Sequence, residues 1–173
     1  MDLGNALAAE HSKAQTSRIV AWVGRDPQRF AALLAFVTGP DRRLAQRAAW
    51  PLSHCVQDHP RLAHPHLERM LQHLKTPGLH PAIRRNTFRL LEEIALPESL
   101  HGLATELSLA ALANPEEPVA VKVYAMTVLK RLIGSYPELE FEVRALIDEQ
   151  KHRQSPAFFS RVRRLFGPRA ADD

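Results

Sequence analysis

One short helical pattern occurs three times in this chain, as Arg43-Leu44-Ala45-Gln46-Arg47-Ala48-Ala49, Ala82-Ile83-Arg84-Arg85-Asn86-Thr87-Phe88 and Ala120-Val121-Lys122-Val123-Tyr124-Ala125-Met126. Its apolar anchors Leu44, Ile83 and Val121 are 39 and 38 residues apart, and Leu52, Leu91 and Leu129 follow at the same two intervals. A period near 40 with 3.6-residue patterning inside each unit marks a two-helix repeat. One such unit cannot bury its own apolar face, so the chain must stack its units side by side.

Composition agrees with a helical, globular reading. Hydrophobic residues make up 45% of the 173, enough for a core, and only 7 glycines leave little for a turn-rich sheet protein. No window approaches the roughly 20 apolar residues of a membrane span. The start, Met1-Asp2-Leu3-Gly4-Asn5, lacks the basic and apolar regions of a secretory signal. Cys55 is the single cysteine, which excludes an internal disulfide and reads as a buried small hydrophobe. The expected location is cytoplasmic. A net charge of +4 makes acidic partners plausible without identifying them.

Proline marks the joints. Pro27, Pro60, Pro97, Pro118 and Pro137 each precede an apolar-periodic stretch, where the first helical turn tolerates them. The spacing predicts helix pairs over 41–58 with 61–75, 80–95 with 97–114, and 118–135 with 137–151. A partial N-terminal unit, 1–40, would hold helices near 13–23 and 26–38, with a further short helix in 2–11. A last helix over 155–166 would cap the open end with Phe158, Phe159, Val162, Leu165 and Phe166, ending at Gly167-Pro168. The whole reads as a single domain, 1–173. Within 41–58, Leu44, Ala45, Ala48, Ala49, Leu52, Cys55 and Val56 share the core arc, and Pro51 interrupts the backbone ladder.

These units resemble HEAT repeats. The resemblance rests on Pro81-Ala82-Ile83-Arg84, on Pro118 ahead of Val121-Lys122, on Arg47-Ala48-Ala49 and on Pro51. It spans about residues 26 to 151, and the chain is also similar to small bacterial proteins made of one such domain. The resemblance implies an all-α, right-handed superhelix, a solenoid of helical hairpins; the motifs themselves lead to no expected catalysis or cofactor. It also implies that second helices line a concave surface, where 137–151 would present an acidic patch suited to a cationic partner or to solvation.

Opposite the core arc of 41–58 stand Arg43, Arg47, Trp50 and His54. Carried forward by the repeat offsets, Arg47 maps to Asn86 and Tyr124, and Trp50 to Arg89 and Thr127. Arg85 adds charge beside them. Arg43, Arg47, Trp50, Arg85, Asn86, Arg89 and Tyr124 therefore form the candidate binding surface, because Arg, Trp and Tyr dominate interface hot spots. Packing between units is the alternative use of the same face.

Other signals are weaker. Lys151, Arg153, Arg161, Arg163, Arg164 and Arg169 make the C-terminal stretch basic, suiting either nucleic acid or the dipole at a helix end. His59, His64 and His66 lack a recognisable ligand spacing, so no metal site is expected. No phosphate loop, nucleophile elbow or HExxH is present. Two functions stay open. The first is a non-catalytic scaffold or adaptor for a protein partner. The second is a nucleic-acid-binding protein distantly similar to HEAT-like DNA alkylation-repair glycosylases, whose catalytic residues have no assignable counterparts here.

Overall fold

The computed structural model describes residues 1–150 and 152–167, and these are helices joined by turns. Lys151, Pro168, Arg169, Asp172 and Asp173, which carry parts of the C-terminal expectations, lie outside the described residues. The chain forms two compact units, Met1–Ala95 and Leu96–Asp173.

The first unit holds α1 (Leu3–Ala9), α2 (Lys13–Val23), α3 (Pro27–Val37), α4 (Arg42–Asp58), α5 (Leu67–His73) and α6 (Pro81–Leu91). Local chemistry sets their starts. The Ser12 hydroxyl accepts from the Gln15 amide, Asp26 from Gln28 and Arg29, and Asp41 from Arg43 and Leu44. Pro27 and Pro81 occupy first-turn positions where no backbone donor is lost. Gly24, at φ 50°, ends α2 in a conformation other residues reach only with strain.

α4 is the hub of this unit. It packs against α1, α2, α3 and α6, and runs unbroken through the buried Pro51. Of its expected core arc, Ala45, Ala48, Ala49, Leu52, Cys55 and Val56 are buried, whereas Leu44 remains half-exposed. Burial pushes the Cys55 thiol up to about 12, so no thiolate exists there at neutral pH.

The second unit holds α7 (His101–Ala113), α8 (Val119–Ile133), α9 (Leu139–Glu149) and α10 (Pro156–Phe166). α8 packs against α7, α9 and α10. Phe158 and Phe166 are buried among Leu112, Met126, Leu129, Val143 and Ile147, while Phe159, Val162 and Leu165 pack partly buried on the same cluster. These are the five residues expected to close the last apolar face.

The stretch expected as one helix over 61–75 is broken instead. Single 3₁₀ turns at Pro60–Leu62 and His64–His66 precede α5. Pro65 cannot donate to the carbonyl four residues back and its ring crowds that turn, so a regular α-helix begins only beyond it. In the same way Glu98–Leu100 forms a 3₁₀ turn before α7. No helix among the described residues is long and apolar enough to cross a membrane.

Candidate binding groove

The face of α4 opposite its core is not an open strip. The N-terminal helices lie along it, which divides the sequence-derived candidates into three kinds.

Arg47 and Asn86 belong to the fold. Arg47 Nη1 donates to the carbonyls of Leu7 and Ala8, at 2.9 and 2.7 Å, where α1 ends. A cation there satisfies orphan carbonyls and opposes the negative end of the helix dipole. Asn86 is buried: its Nδ2 donates to the Ala82 carbonyl at 2.8 Å. The Ser53 hydroxyl is shared between Asn86 Oδ1 at 3.2 Å and the Trp50 carbonyl at 2.8 Å. In the structure both residues are engaged in helix–helix packing, Asn86 buried and Arg47 half-buried. A buried amide must find partners within the protein, and these two helices supply them.

Trp50 and Arg89 line a groove of about 660 Å³ between α2 and α4 that reaches α6. Lys13, Thr16, Ser17, Val20 and Ala21 form the α2 wall; His54 and Asp58 extend the α4 wall beside Trp50. The Trp50 indole is half-buried, with the His11 ring edge-on at 5.8 Å and the His54 ring tilted at 5.9 Å. Arg89 Nη2 donates to Gln57 Oε1 at 3.2 Å, which anchors the guanidinium at the groove's rim. The rim thus carries two cations, Lys13 and Arg89, against one carboxylate, Asp58.

The remaining candidates are apart from this groove. Arg43 and Arg85 are exposed and do not line it. Tyr124 lies in the second unit, where it lines a separate groove of about 500 Å³ between α8 and α10. There the Arg161 guanidinium lies 5.8 Å from the Tyr124 ring centre, and its Nη1 donates to Thr127 Oγ1 at 2.9 Å. Periodicity alone missed the α2 wall. The signal available was the second apolar pair on α2, Val20-Ala21, which stands outside the buried Thr16, Ile19 and Val23.

Burial, reinforced by Arg89 and Lys13, lowers the His54 pKa below its ordinary 6.5, with Gln57 and Asp58 opposing in part. Burial also lowers that of His73, helped by Arg69. The lowering favours the neutral imidazole at His54 beside Trp50. Between each lowered value and 6.5 the unfolded chain binds more protons than the folded one, so stability rises with pH through that window and is lost below it. The melting temperature is therefore expected to fall between pH 7.5 and pH 5. His54→Gln and His73→Gln should each shrink that fall. An unchanged pH dependence in both variants would refute the assignment.

No three His, Cys, Asp or Glu residues among those described are grouped to hold a metal ion. His66 stacks on Phe30 at 5.8 Å, and His64 is exposed.

A family model described as HEAT repeat domain matches residues 3–166. No curated protein and no solved structure matches the chain.

Proposed function

The chain belongs to the HEAT repeat domain family, and on that premise we propose that it is a non-catalytic interaction module whose α2/α4/α6 groove receives a segment of a protein partner. HEAT repeat domains commonly serve as protein-interaction scaffolds. The observation that carries the reading is the half-buried Trp50 in a groove that Lys13 and Arg89 also line. An indole so placed offers a large rigid apolar contact, and the rim cations favour carboxylates beside it. The partner segment therefore combines an aromatic or aliphatic anchor with acidic neighbours. Preformed helices present this surface without an ordering cost at the moment of binding.

The same observation weighs against nucleic acid. Arg47, the cation nearest Trp50 on the outer face of α4, is engaged with α1, and Asp58 stands on the rim.

Selection from a displayed random-peptide library tests the reading. Retained peptides should carry acidic residues around one bulky apolar position. Trp50→Ala should weaken their binding by roughly 30-fold or more, the scale of a hot-spot truncation near 2 kcal/mol. Arg89→Glu should act in the same direction, with helical content unchanged by circular dichroism in both variants. Recovery of no peptides would sink the proposal. So would binding of short duplex or single-stranded DNA or RNA that persists at physiological salt and is lost in Arg89→Glu.

A further inference from the structure

Most apolar bulk in this protein is covered, with one conspicuous departure in the second unit. Phe141 on α9 is 84% exposed, and among the described residues Met1 is the other exposed large hydrophobic side chain. Phe141 does not stand alone on its helix. Glu138, Phe141, Glu142, Ala145 and Glu149 are all exposed and fall within one 100° arc of α9 and its N-terminal flank. The opposite side carries the buried Val143 and Ile147. Arg144, the one base in α9, turns away from this stripe: it pairs with Glu140 and donates to the Phe166 carbonyl at 3.0 Å. The outward face of α9 is thus a bulky apolar knob framed by three carboxylates with no cation among them.

That is the chemistry the groove in the first unit is built to take. Its lining brings Trp50 and Val20 together with Lys13 and Arg89. The charge of the two units runs the same way. Residues 1–95 hold 13 Lys and Arg against 8 Asp and Glu, a net of +5, whereas residues 96–173 hold 10 against 11, a net of −1. At about 660 Å³ the groove is large enough for a phenyl ring and its flanking side chains.

We propose that a second copy of this chain occupies the groove, placing Phe141 against Trp50 with Glu138 and Glu142 facing Lys13 and Arg89. The proposal rests on the reading of the groove as a protein-binding surface. Knob and groove are different patches, so the contact is heterologous, and copies join head to tail, ending in a closed assembly where the rotation between them allows it. Asp58 on the rim disfavours a wholly acidic face, which makes Phe141 the anchor and the carboxylates its guides.

Sedimentation velocity of the full chain over a wide concentration range tests this. The average mass should climb with concentration and drop as salt is raised, because exposed charge pairs are screened. Phe141→Ala and Lys13→Glu should each be monomeric alone. Mixed, they should give a one-to-one complex and nothing larger, since the first keeps a groove and the second keeps a knob. Glu138 and Glu142 reversed to Lys, combined with Lys13 and Arg89 reversed to Glu, should restore association. A wild-type chain that stays monomeric throughout overturns the proposal, as does association that survives Phe141→Ala. A fluorescein-labelled peptide of sequence 136–149 separates this failure from that of the groove. If the peptide binds the wild type and not Arg89→Glu while the chain stays monomeric, self-association falls and the groove stands. If neither occurs, both fall.

Discussion

Phe158→Ala is expected to destabilise the protein by about 3–5 kcal/mol, the usual range for deleting a fully buried phenyl ring. Phe158 is 0% exposed and sits edge-on to Phe159, with ring centres 5.2 Å apart. It enters the cluster formed by α7, α8 and α9 and is the point at which α10 closes it. Removing the ring deletes its contacts and leaves a cavity that the surrounding Leu112, Met126 and Ile133 cannot refill without leaving their rotamers. The neighbouring Phe159 is only partly buried, so Phe159→Ala should cost about 1 kcal/mol, mostly as lost apolar area. Urea titration separates the two variants. With a slope of roughly 1–3 kcal/mol per molar, Phe158→Ala should lower the midpoint by more than about 1 M. The two tryptophans, Trp22 and Trp50, both belong to the first unit, so fluorescence reports that unit while far-ultraviolet dichroism reports all the helices. The dichroism transition must move. If it shifts by less than Phe159→Ala shifts it, α10 is not the closing element described.

The sequence disclosed the helices better than it disclosed their neighbours. Helix starts were legible because Ser12, Asp26, Asp41 and the first-turn prolines act locally, within three residues of the group they satisfy. The packing of α10 was legible because five apolar residues in 155–166 share one face, and that face meets the cluster of α7, α8 and α9. The surroundings of the expected binding strip were not legible. Periodicity gives the direction in which Arg47 leaves α4, but it does not say that the end of α1 waits there. Asn86 follows from the same gap: its repeat position looked outward, and the partner that buries it, Ser53, comes from a residue 33 positions away. Trp50 and Arg89 line the groove left between α2 and α4, a gap that periodicity does not show. The interrupted stretch before α5 was readable in principle from Pro65, whose effect on the ladder outweighs the apolar period around it.

The entry motif of the repeats makes the largest polar prediction. Arg84 and Lys122 occupy the same repeat position, 38 residues apart, and each is turned toward the protein's own backbone or amides. Arg84 Nη1 donates to the Leu74 carbonyl, at 3.1 Å, just past the end of α5. Lys122 is 0% exposed, and its Nζ donates to Gln150 Oε1 at 2.6 Å. Gln150 in turn donates to the carbonyls of Leu112 and Leu146, at 2.7 and 3.1 Å, tying the ends of α7 and α9 together. Burial lowers the Lys122 pKa, and the carboxylates of Glu117 and Glu116 pull it back. Lys122→Ala removes the ammonium, leaves a cavity and takes a nearby cation from the 7%-exposed Glu117 carboxylate, so it should cost about 3 kcal/mol. Lys122→Met fills the space yet still removes the charge that the Glu117 carboxylate feels, and should recover only part of that loss. The double variant Lys122→Met with Glu117→Gln removes both charges while keeping the volume. It should return to within about 1 kcal/mol of the wild type, because the desolvation of two buried charges offsets much of their attraction. If Lys122→Met alone matches the double variant, Glu117 does not depend on Lys122, and the ammonium acts through Gln150 only. If Lys122→Ala costs under about 1 kcal/mol, the Gln150 link between α7 and α9 holds without it.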